Sequence, residues 1–326
     1  MNIYYMNYHE KYLKYKAKYL ALQEMMNTNQ MGGAKRKSNK NSKKNSKKRT
    51  KIHPKFKRMI GSCIAELKDI YAKHKDIENS IDSLSEILKD VSPCHGINHA
   101  KQVMSHAWCA LESNKDEYNL NDEDTLAVLL AALLHDVDDK KFFPNNTNYE
   151  NLREVLKKIG KSNDFIEDVV FMVSIVSASK NGDRIPRCVR DKPWMLIPRY
   201  ADRVEAIGIV GVERCYTYTM NVSKLPLSLD STPRPTTEED IWKAATLERY
   251  NSYDGKSKSM VDHYYDKLLR LTYFPIRNKY LDEESTKRRK PLIDFLLDFG
   301  NGKINSYDDV DKFIKDNSAP RSISDE

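Results

Sequence analysis

The sequence has few cysteines and lacks a long apolar run, and both absences restrict what the chain can be. Its five cysteines are odd in number, widely spread and never spaced as Cys-x-x-Cys, which argues against a disulfide framework and a cysteine-based zinc site. No apolar stretch approaches the roughly 20 residues that a membrane-spanning helix needs. The first turns carry Lys, Glu and Tyr, so they lack the apolar core of a signal peptide. We therefore expect a protein of a reducing compartment inside a cell.

Alternating β-branched segments are also missing, whereas apolar residues three and four positions apart recur from about residue 54 onward. This periodicity predicts helices over 55–75, 77–91, 99–113, 123–135, 149–159, 163–176, 195–209, 238–250, 257–271, 277–299 and 307–315. A loop is predicted over 226–235, where prolines accumulate. The predicted fold class is therefore all-α.

Positive charge is concentrated in one segment of the chain. The net charge is +8 at pH 7, yet residues 35–58 contain 13 Lys or Arg and no Asp or Glu, so the remainder is mildly acidic. Such a segment can bind nucleic acid weakly, bind an anionic surface or act as a nuclear address; a solvated tether is the alternative. No aromatic residue is interleaved before Phe56, which argues against base stacking.

Composition divides the chain into four parts. The predicted order is a helical leader over 1–25, a disordered basic linker over 26–53, a globular domain over 54–318 and a disordered tail over 319–326. The leader has a Tyr and Leu stripe at helical spacing, and its stretch Lys11–Leu20 resembles a leader found on many giant-virus proteins. If the chain is viral, we expect it in the host cytoplasm, with the nucleus and the virion as alternatives.

A His-Asp doublet ends the most apolar helix of the sequence. His135 and Asp136 follow the run Leu126–Leu134, so the doublet is expected to be largely buried. A buried carboxylate without a partner is costly, and either a metal ion or a plain His–Asp hydrogen bond would satisfy it. Together with His99 and Asp202, the doublet offers the imidazole and carboxylate donors that suit a divalent metal able to activate water.

Four blocks in fixed order support the metal interpretation. They are His95–His99, Leu133–Phe142, Ala201–Gly211 and Asp262–Leu269. Over about residues 90–300 these blocks resemble the HD superfamily of metal-dependent phosphohydrolases, and within it a subgroup similar to nucleotide pyrophosphohydrolases. The resemblance implies an HD-domain helical bundle that hydrolyses a nucleotide.

The resemblance also implies roles for individual residues. The implied metal ligands are His99, His135, Asp136 and Asp202. The implied catalytic residues are Asp139 and Lys141, and the implied substrate-binding residues are His95, Lys180 and Arg203. Each role outside the ligand set has a structural alternative: a capping or packing histidine, an acid paired with a lysine, solvated surface lysines, and an arginine that holds a neighbouring acid such as Glu205.

The predicted reaction is hydrolysis of a phosphoanhydride or phosphoester in a nucleotide. Mn²⁺ is the expected ion, with Mg²⁺, Fe²⁺, Zn²⁺ and Ni²⁺ as alternatives. A phosphodiesterase, a triphosphohydrolase and a non-catalytic scaffold that binds nucleotide or nucleic acid are the other hypotheses. Gly96, Gln102 and Tyr200 depart from the subgroup pattern, which leaves the substrate open.

Overall fold

The computed structural model describes residues 64–91 and 95–318, except the side chains of residues 64–66, 69 and 179. In this part of the chain the regular structure is helical and no residue lies in a β-strand, which confirms the predicted all-α class. The predicted leader over 1–25, the basic linker over 26–53 and the tail over 319–326 lie outside the described residues. Their boundaries therefore stay predictions.

The first half of the described chain forms eight α-helices. They are α1 Ile64–Lys73, α2 Lys75–Ile87, α3 Ile97–Ser113, α4 Lys115–Tyr118, α5 Asp122–Leu133, α6 Glu150–Lys158, α7 Asn163–Ser174 and α8 Ala178–Asn181. Short 3-10 turns follow at Arg187–Val189 and Pro193–Leu196.

The second half of the described chain continues the helical pattern. Its α-helices are α9 Ile197–Glu205, α10 Gly208–Tyr218, α11 Glu238–Ala244, α12 Leu247–Asn251, α13 Met260–His263, α14 Lys279–Gly300 and α15 Tyr307–Asn317. Two π-helical turns lie at Thr219–Ser223 and Tyr264–Leu268, and a 3-10 turn lies at Arg270–Thr272.

Helix α5 is the central element of the core. Every residue from Leu126 to Leu133 is buried, as expected for a helix that is apolar on all faces, and α5 packs against α3, α7 and α9. Asn121 caps its first turn by accepting a hydrogen bond from the amide of Asp124 at 2.7 Å. Because this stretch of α5 is enclosed on all sides, Leu134 and the His135-Asp136 doublet that follow its end lie inside the protein.

The helix predicted over 195–209 is shorter than expected. The structure places a 3-10 turn before α9, ends α9 at Glu205 and begins a further helix, α10, that the periodicity did not predict. Gly208 separates the two with a φ of +80°, and a Cβ at this position would lie 3.1 Å from the Cβ of Arg288. Only glycine fits this close approach in the left-handed region, so the chain turns here.

The proline-rich segment between α10 and α13 is docked against later helices. Residues 224–237 form no helix, in agreement with the predicted loop. The amides of Met260 and Val261 donate to the carbonyls of Pro226 and Leu227, both at 2.9 Å. The hydroxyl of Tyr307 on α15 donates to the carbonyl of Leu225 at 2.5 Å. The segment is thereby fixed over the start of α13. None of the described helices combines the length and apolar character that crossing a bilayer requires.

Candidate metal centre and adjoining pocket

Three elements bring the four predicted metal ligands together. His99 lies in the first turn of α3, His135 and Asp136 follow the end of α5, and Asp202 lies in α9. Asp136 Oδ2 is 3.4 Å from His135 Nε2 and 3.8 Å from His99 Nε2, while Asp202 Oδ1 is 3.4 Å from His99 Nε2 and 3.7 Å from His135 Nε2. Donors that share one ion at about 2.0–2.2 Å lie roughly 3–3.5 Å apart, so this spacing suits a single ion.

The two histidines leave their Nε2 atoms free for a ligand. His99 Nε2 and His135 Nε2 are buried and have no hydrogen-bond partner in the described structure. The other ring nitrogen of His135, Nδ1, lies 2.8 Å from the carbonyl of Ala132, which fixes the tautomer in which Nδ1 carries the proton. The lone pair of Nε2 then points toward the two carboxylates. The residues present therefore fit a divalent metal ion.

Charge in the cluster is also that of a cation site. Burial lowers the pKa of His99. Burial also favours neutral His135, but the carboxylates of Asp136 and Asp202 outweigh this and raise its pKa to about 9. Burial opposes ionisation of Asp202, yet the imidazole of His99 at 3.4 Å and the charge of His135 hold its pKa below the usual range. The apo cluster is thus stabilised by a proton on His135, and a metal ion that binds there would displace it.

His95 lies in the loop just before α3, so it does not share a helix face with His99. Its Nδ1 is 2.9 Å from Asp136 Oδ2, and its ring lies 5.4 Å from that of Phe142. With His99 and Asp136 it forms a second group of donors within 4.8 Å of one another. Its side chain is 27% exposed, so it borders both the ligands and solvent. A contact with substrate stays a prediction.

Asp138 and Asp139, the two acids that follow the doublet, make different contacts. Asp138 is buried and accepts hydrogen bonds from the amides of Asn151 and Leu152 at 3.1 and 2.9 Å, which caps α6. Asp139 accepts a hydrogen bond from the amide of Lys141 at 2.9 Å. The side chain of Lys141 is 70% exposed and 3.9 Å from Asp139. The catalytic roles predicted for Asp139 and Lys141 therefore stay predictions.

Asp138→Ala is expected to destabilise the protein without emptying the metal centre. The variant removes a buried acceptor of two α6 amides, so we expect a loss of about 2–4 kcal/mol in the free energy of unfolding. Urea unfolding and the metal content of the folded protein are the measurements. A folded Asp138→Ala protein that no longer binds metal would contradict the claim that Asp138 stabilises the fold and is not needed for metal binding.

Two arginines of α9 hold the loop that follows α8, the short helix on which Lys180 lies. Arg199 donates to the carbonyls of Ile175 and Arg184 at 2.6 and 2.9 Å. Arg203 is 1% exposed and donates to Asp183 Oδ1 and to the carbonyl of Gly182, both at 2.6 Å.

Arg203 thus anchors this loop. The acid it binds is Asp183, whereas the structural alternative had named Glu205. Lys180 is exposed on α8. Substrate binding by Lys180 and Arg203 stays a prediction.

A cavity of 280 Å³ adjoins this loop. Its lining residues are Ala178, Asn181, Gly182, Asp183, Arg184, Tyr250, Asn251, Tyr253 and Lys267. Gly182 and Asp183 in its wall are held by Arg203, the neighbour of Asp202 on α9, so the cavity adjoins the metal centre; Asp202 also raises the pKa of Lys267. Tyr250 of α12 and Tyr253 just after it supply the aromatic wall, so a stretch remote in sequence completes the cavity.

Sequence reasoning missed two cations near the cluster. Lys267 and Arg214 both act electrostatically on residues of the site: Lys267 is coupled to Asp202, and Arg214 to His99. Lys267 carried a usable signal, because it is the basic residue of the partly buried block Asp262–Leu269 that the family resemblance had singled out. Arg214 carried none, since the helix that bears it was not predicted.

A buried polar network ties three helices together next to the ligands. His106 of α3 contacts Glu205 of α9 through Nε2 at 3.2 Å and the hydroxyl of Tyr280 through Nδ1 at 2.7 Å. Arg288 of α14 donates to Glu205 Oε2 at 3.3 Å and to the carbonyl of Val204 at 3.0 Å. Burial opposes ionisation of Glu205, but His106 and Arg288 together lower its pKa to about 2. The network joins the helices that carry His99 and Asp202.

Several solved structures share part of this architecture. A protein of Lactobacillus plantarum is 22% identical, with 69% of this chain and 97% of that chain covered and a TM-score of 0.49. An HD-superfamily hydrolase of Bacillus thuringiensis is 21% identical, with 71% and 98% covered and a TM-score of 0.46. YpgQ of Bacillus subtilis, in complex with ADP, is 17% identical, with 72% and 100% covered and a TM-score of 0.48. Because these TM-scores lie below 0.5, the likenesses carry no weight for function.

Sequence similarity gives a firmer relation. No family model matches the chain. Uncharacterized protein L803 of Acanthamoeba polyphaga mimivirus is 40% identical over 222 residues, which cover 63% of this chain and 88% of the relative. This relative supports the giant-virus origin that the leader suggested. At this identity and coverage, the chain belongs to the same protein family as the mimivirus protein L803.

Proposed function

We propose that the chain is an HD-type metal-dependent phosphohydrolase that acts on a nucleotide phosphoanhydride or phosphoester. One observation carries the proposal: two buried imidazole nitrogens without partners face two buried or half-buried carboxylates at 3.4–3.8 Å. A lone His–Asp hydrogen bond would not require four donors from three helices. The donor set of two nitrogens and two carboxylates suits Mn²⁺ first, and Mg²⁺, Fe²⁺, Zn²⁺ or Ni²⁺ as alternatives.

Four residues of the cluster would bind the metal ion, and His95 would orient one of these ligands. A divalent ion held by His99, His135, Asp136 and Asp202 supplies Lewis-acid chemistry that polarises a phosphoryl oxygen and acidifies water. His95 holds Asp136 through its 2.9 Å contact and stands at the edge of the cluster. Asp202 is the most exposed of the four proposed ligands, at 28% of its side chain, so substrate approaches from its side.

The reaction needs cations that offset charge on the phosphate oxygens. Hydrolysis forms a bond from water oxygen to phosphorus and breaks the bond from phosphorus to the leaving oxygen, and the developing charge lies on oxygens. Lys267, on which Asp202, Lys141 and Arg214 all act electrostatically, is proposed to offset this charge together with those two cations. Asp139 is proposed to orient the attacking water.

Metal analysis combined with a nucleotide panel tests the proposal. We expect the purified full chain to bind about one divalent ion and to hydrolyse at least one nucleotide, and to lose activity in chelator and regain it on reloading with Mn²⁺. The products separate the alternatives: pyrophosphate indicates a pyrophosphohydrolase, intact triphosphate a triphosphohydrolase, and a nucleoside monophosphate from a cyclic or diester substrate a phosphodiesterase. A protein that binds no added metal would favour the non-catalytic scaffold.

A further inference from the structure

Lys267 is a half-buried cation without a partner among the described residues. It lies in the π-helical turn Tyr264–Leu268 and lines the cavity, and its ammonium group makes no hydrogen bond or ion pair with any described residue. Burial, with Lys141 and Arg214 nearby, lowers its pKa to about 8, although Asp202 acts in the opposite direction. At neutral pH the group is still charged, and a buried charge without a counter-ion is costly.

Three arginines in buried or half-buried positions, by contrast, have carboxylate partners. Arg203 is paired with Asp183 at 2.6 Å, and Arg288 with Glu205 at 3.3 Å. Arg249 is paired with both Asp262, at 2.7 Å, and Asp266. These three arginines have carboxylate partners and buried Arg199 donates to two backbone carbonyls, whereas Lys267 has neither kind of partner at the wall of the cavity.

The cavity offers Lys267 no carboxylate of its own. Asp183 is the acid in the wall, and Arg203 already holds it. The remaining polar lining consists of neutral amides and phenols from Asn181, Asn251 and Tyr253, together with the exposed Arg184. At 280 Å³ the cavity approaches the volume of small-molecule sites, which begins at about 300 Å³. Space, positive charge and neutral hydrogen-bonding groups together fit an anionic ligand.

We propose that this cavity is an anion subsite in which Lys267 binds a phosphate group of the substrate other than the one that is attacked. The inference rests on the proposed function, because it places the attacked phosphate at the adjoining metal centre. It narrows the substrate to molecules with two or more linked phosphates, since a single phosphoester held at the metal would leave Lys267 unpartnered. A phosphoanhydride is thereby favoured over a phosphodiester.

Inorganic tripolyphosphate and orthophosphate are the probes, titrated calorimetrically into the full chain after removal of metal. Lys267→Met keeps the length of the side chain and removes its charge. We expect its affinity for tripolyphosphate to fall at least tenfold and its affinity for orthophosphate to fall as well, because in the metal-free chain both probes bind through Lys267; Lys267→Arg should recover much of the loss. Lys101→Met is the matched control, because Lys101 is a partly buried lysine of α3 outside the cavity. It should bind tripolyphosphate as the unmodified chain does.

Stability and turnover measurements complete the test. Thermal unfolding of Lys267→Met should show a melting temperature equal to or above that of the unmodified chain, because an unpaired buried charge is gone. If this variant does not fold, Lys267→Gln serves in its place. Equal binding of tripolyphosphate by the folded variant and the unmodified chain would overturn the subsite. A chain that binds neither metal nor nucleotide substrate but binds tripolyphosphate through Lys267 would refute the proposed function and leave the anion site standing.

Discussion

His135→Ala is expected to abolish metal retention and to lower turnover by about 10³-fold or more. His135 presents a single free nitrogen to the cluster, and its other nitrogen is committed to Ala132. Alanine removes the donor and leaves Asp136 without one of its two nearest imidazoles. Loss of a catalytic metal removes several kcal/mol of transition-state stabilisation, and about 4 kcal/mol corresponds to 10³ in rate. Inductively coupled plasma analysis of the purified variant and steady-state nucleotide hydrolysis are the measurements.

Asp136→Ala should behave in the same way, and Asp138→Ala is the control for both. Asp138 lies two residues beyond Asp136 but caps α6, so its loss weakens the fold and spares the ion. Full activity in the His135→Ala protein would show that the doublet is a structural hydrogen bond, and the proposed chemistry would have to be abandoned.

Arg288→Met is expected to lower the free energy of unfolding by about 3–5 kcal/mol at pH 7. The arginine is one of two positively charged or proton-donating groups that hold buried Glu205, the other being His106. Removing one partner of a buried ion pair leaves an uncompensated charge, which is far more costly than losing a surface pair. Methionine fills most of the volume, so the effect reports charge and hydrogen bonding.

The cost of Arg288→Met should shrink as the solution is acidified. The folded pKa of Glu205 is lowered to about 2, whereas an unfolded glutamate titrates near 4.3. The stabilisation from ionised Glu205 is therefore complete above about pH 4.3 and is lost as the pH falls through 2. Urea unfolding at pH 7, 5 and 3 measures this trend.

The neighbouring arginine provides the matched control for this series. Arg289 of α14 donates to the hydroxyl and carbonyl of Thr272 at 3.1 and 3.2 Å and binds no carboxylate. Arg289→Met should lower stability by about 1 kcal/mol, with a similar value at each pH. The ion-pair account of Arg288 fails if its substitution costs no more than that of Arg289, or if the difference does not depend on pH.

The sequence predicted the core of the site because its signals are local. An apolar run on all faces marks a buried helix, and α5 covers most of the range predicted over 123–135. The doublet at its end, with one histidine and one aspartate in other blocks, predicted four donors, and the structure brings each of them within 3.8 Å of two others. Their role as metal ligands stays a prediction for the experiments above.

The parts that were not predicted depend on contacts between distant segments. Helix α10 was missed because its break from α9 depends on a close approach between Gly208 and Arg288, which no local pattern encodes. The partner of Arg203 was missed for the same reason, since Asp183 is 20 residues away. Lys267 appeared to be one basic residue in an apolar block until the surrounding elements showed that it has no counter-ion.

Arg199 and Arg203 of α9 determine where the chain can accept inserted residues. Arg199, Asp202 and Arg203 lie within one turn and a quarter of helix, so a loop wall and a proposed ligand share one rigid body. One added residue between them would rotate whatever follows by about 100° and separate the ligand from its wall. The stretch around Cys188, which neither arginine anchors, is exposed apart from buried Val189 and should accept changes in length more readily. Length variation among relatives should therefore concentrate in that stretch and be absent from α9.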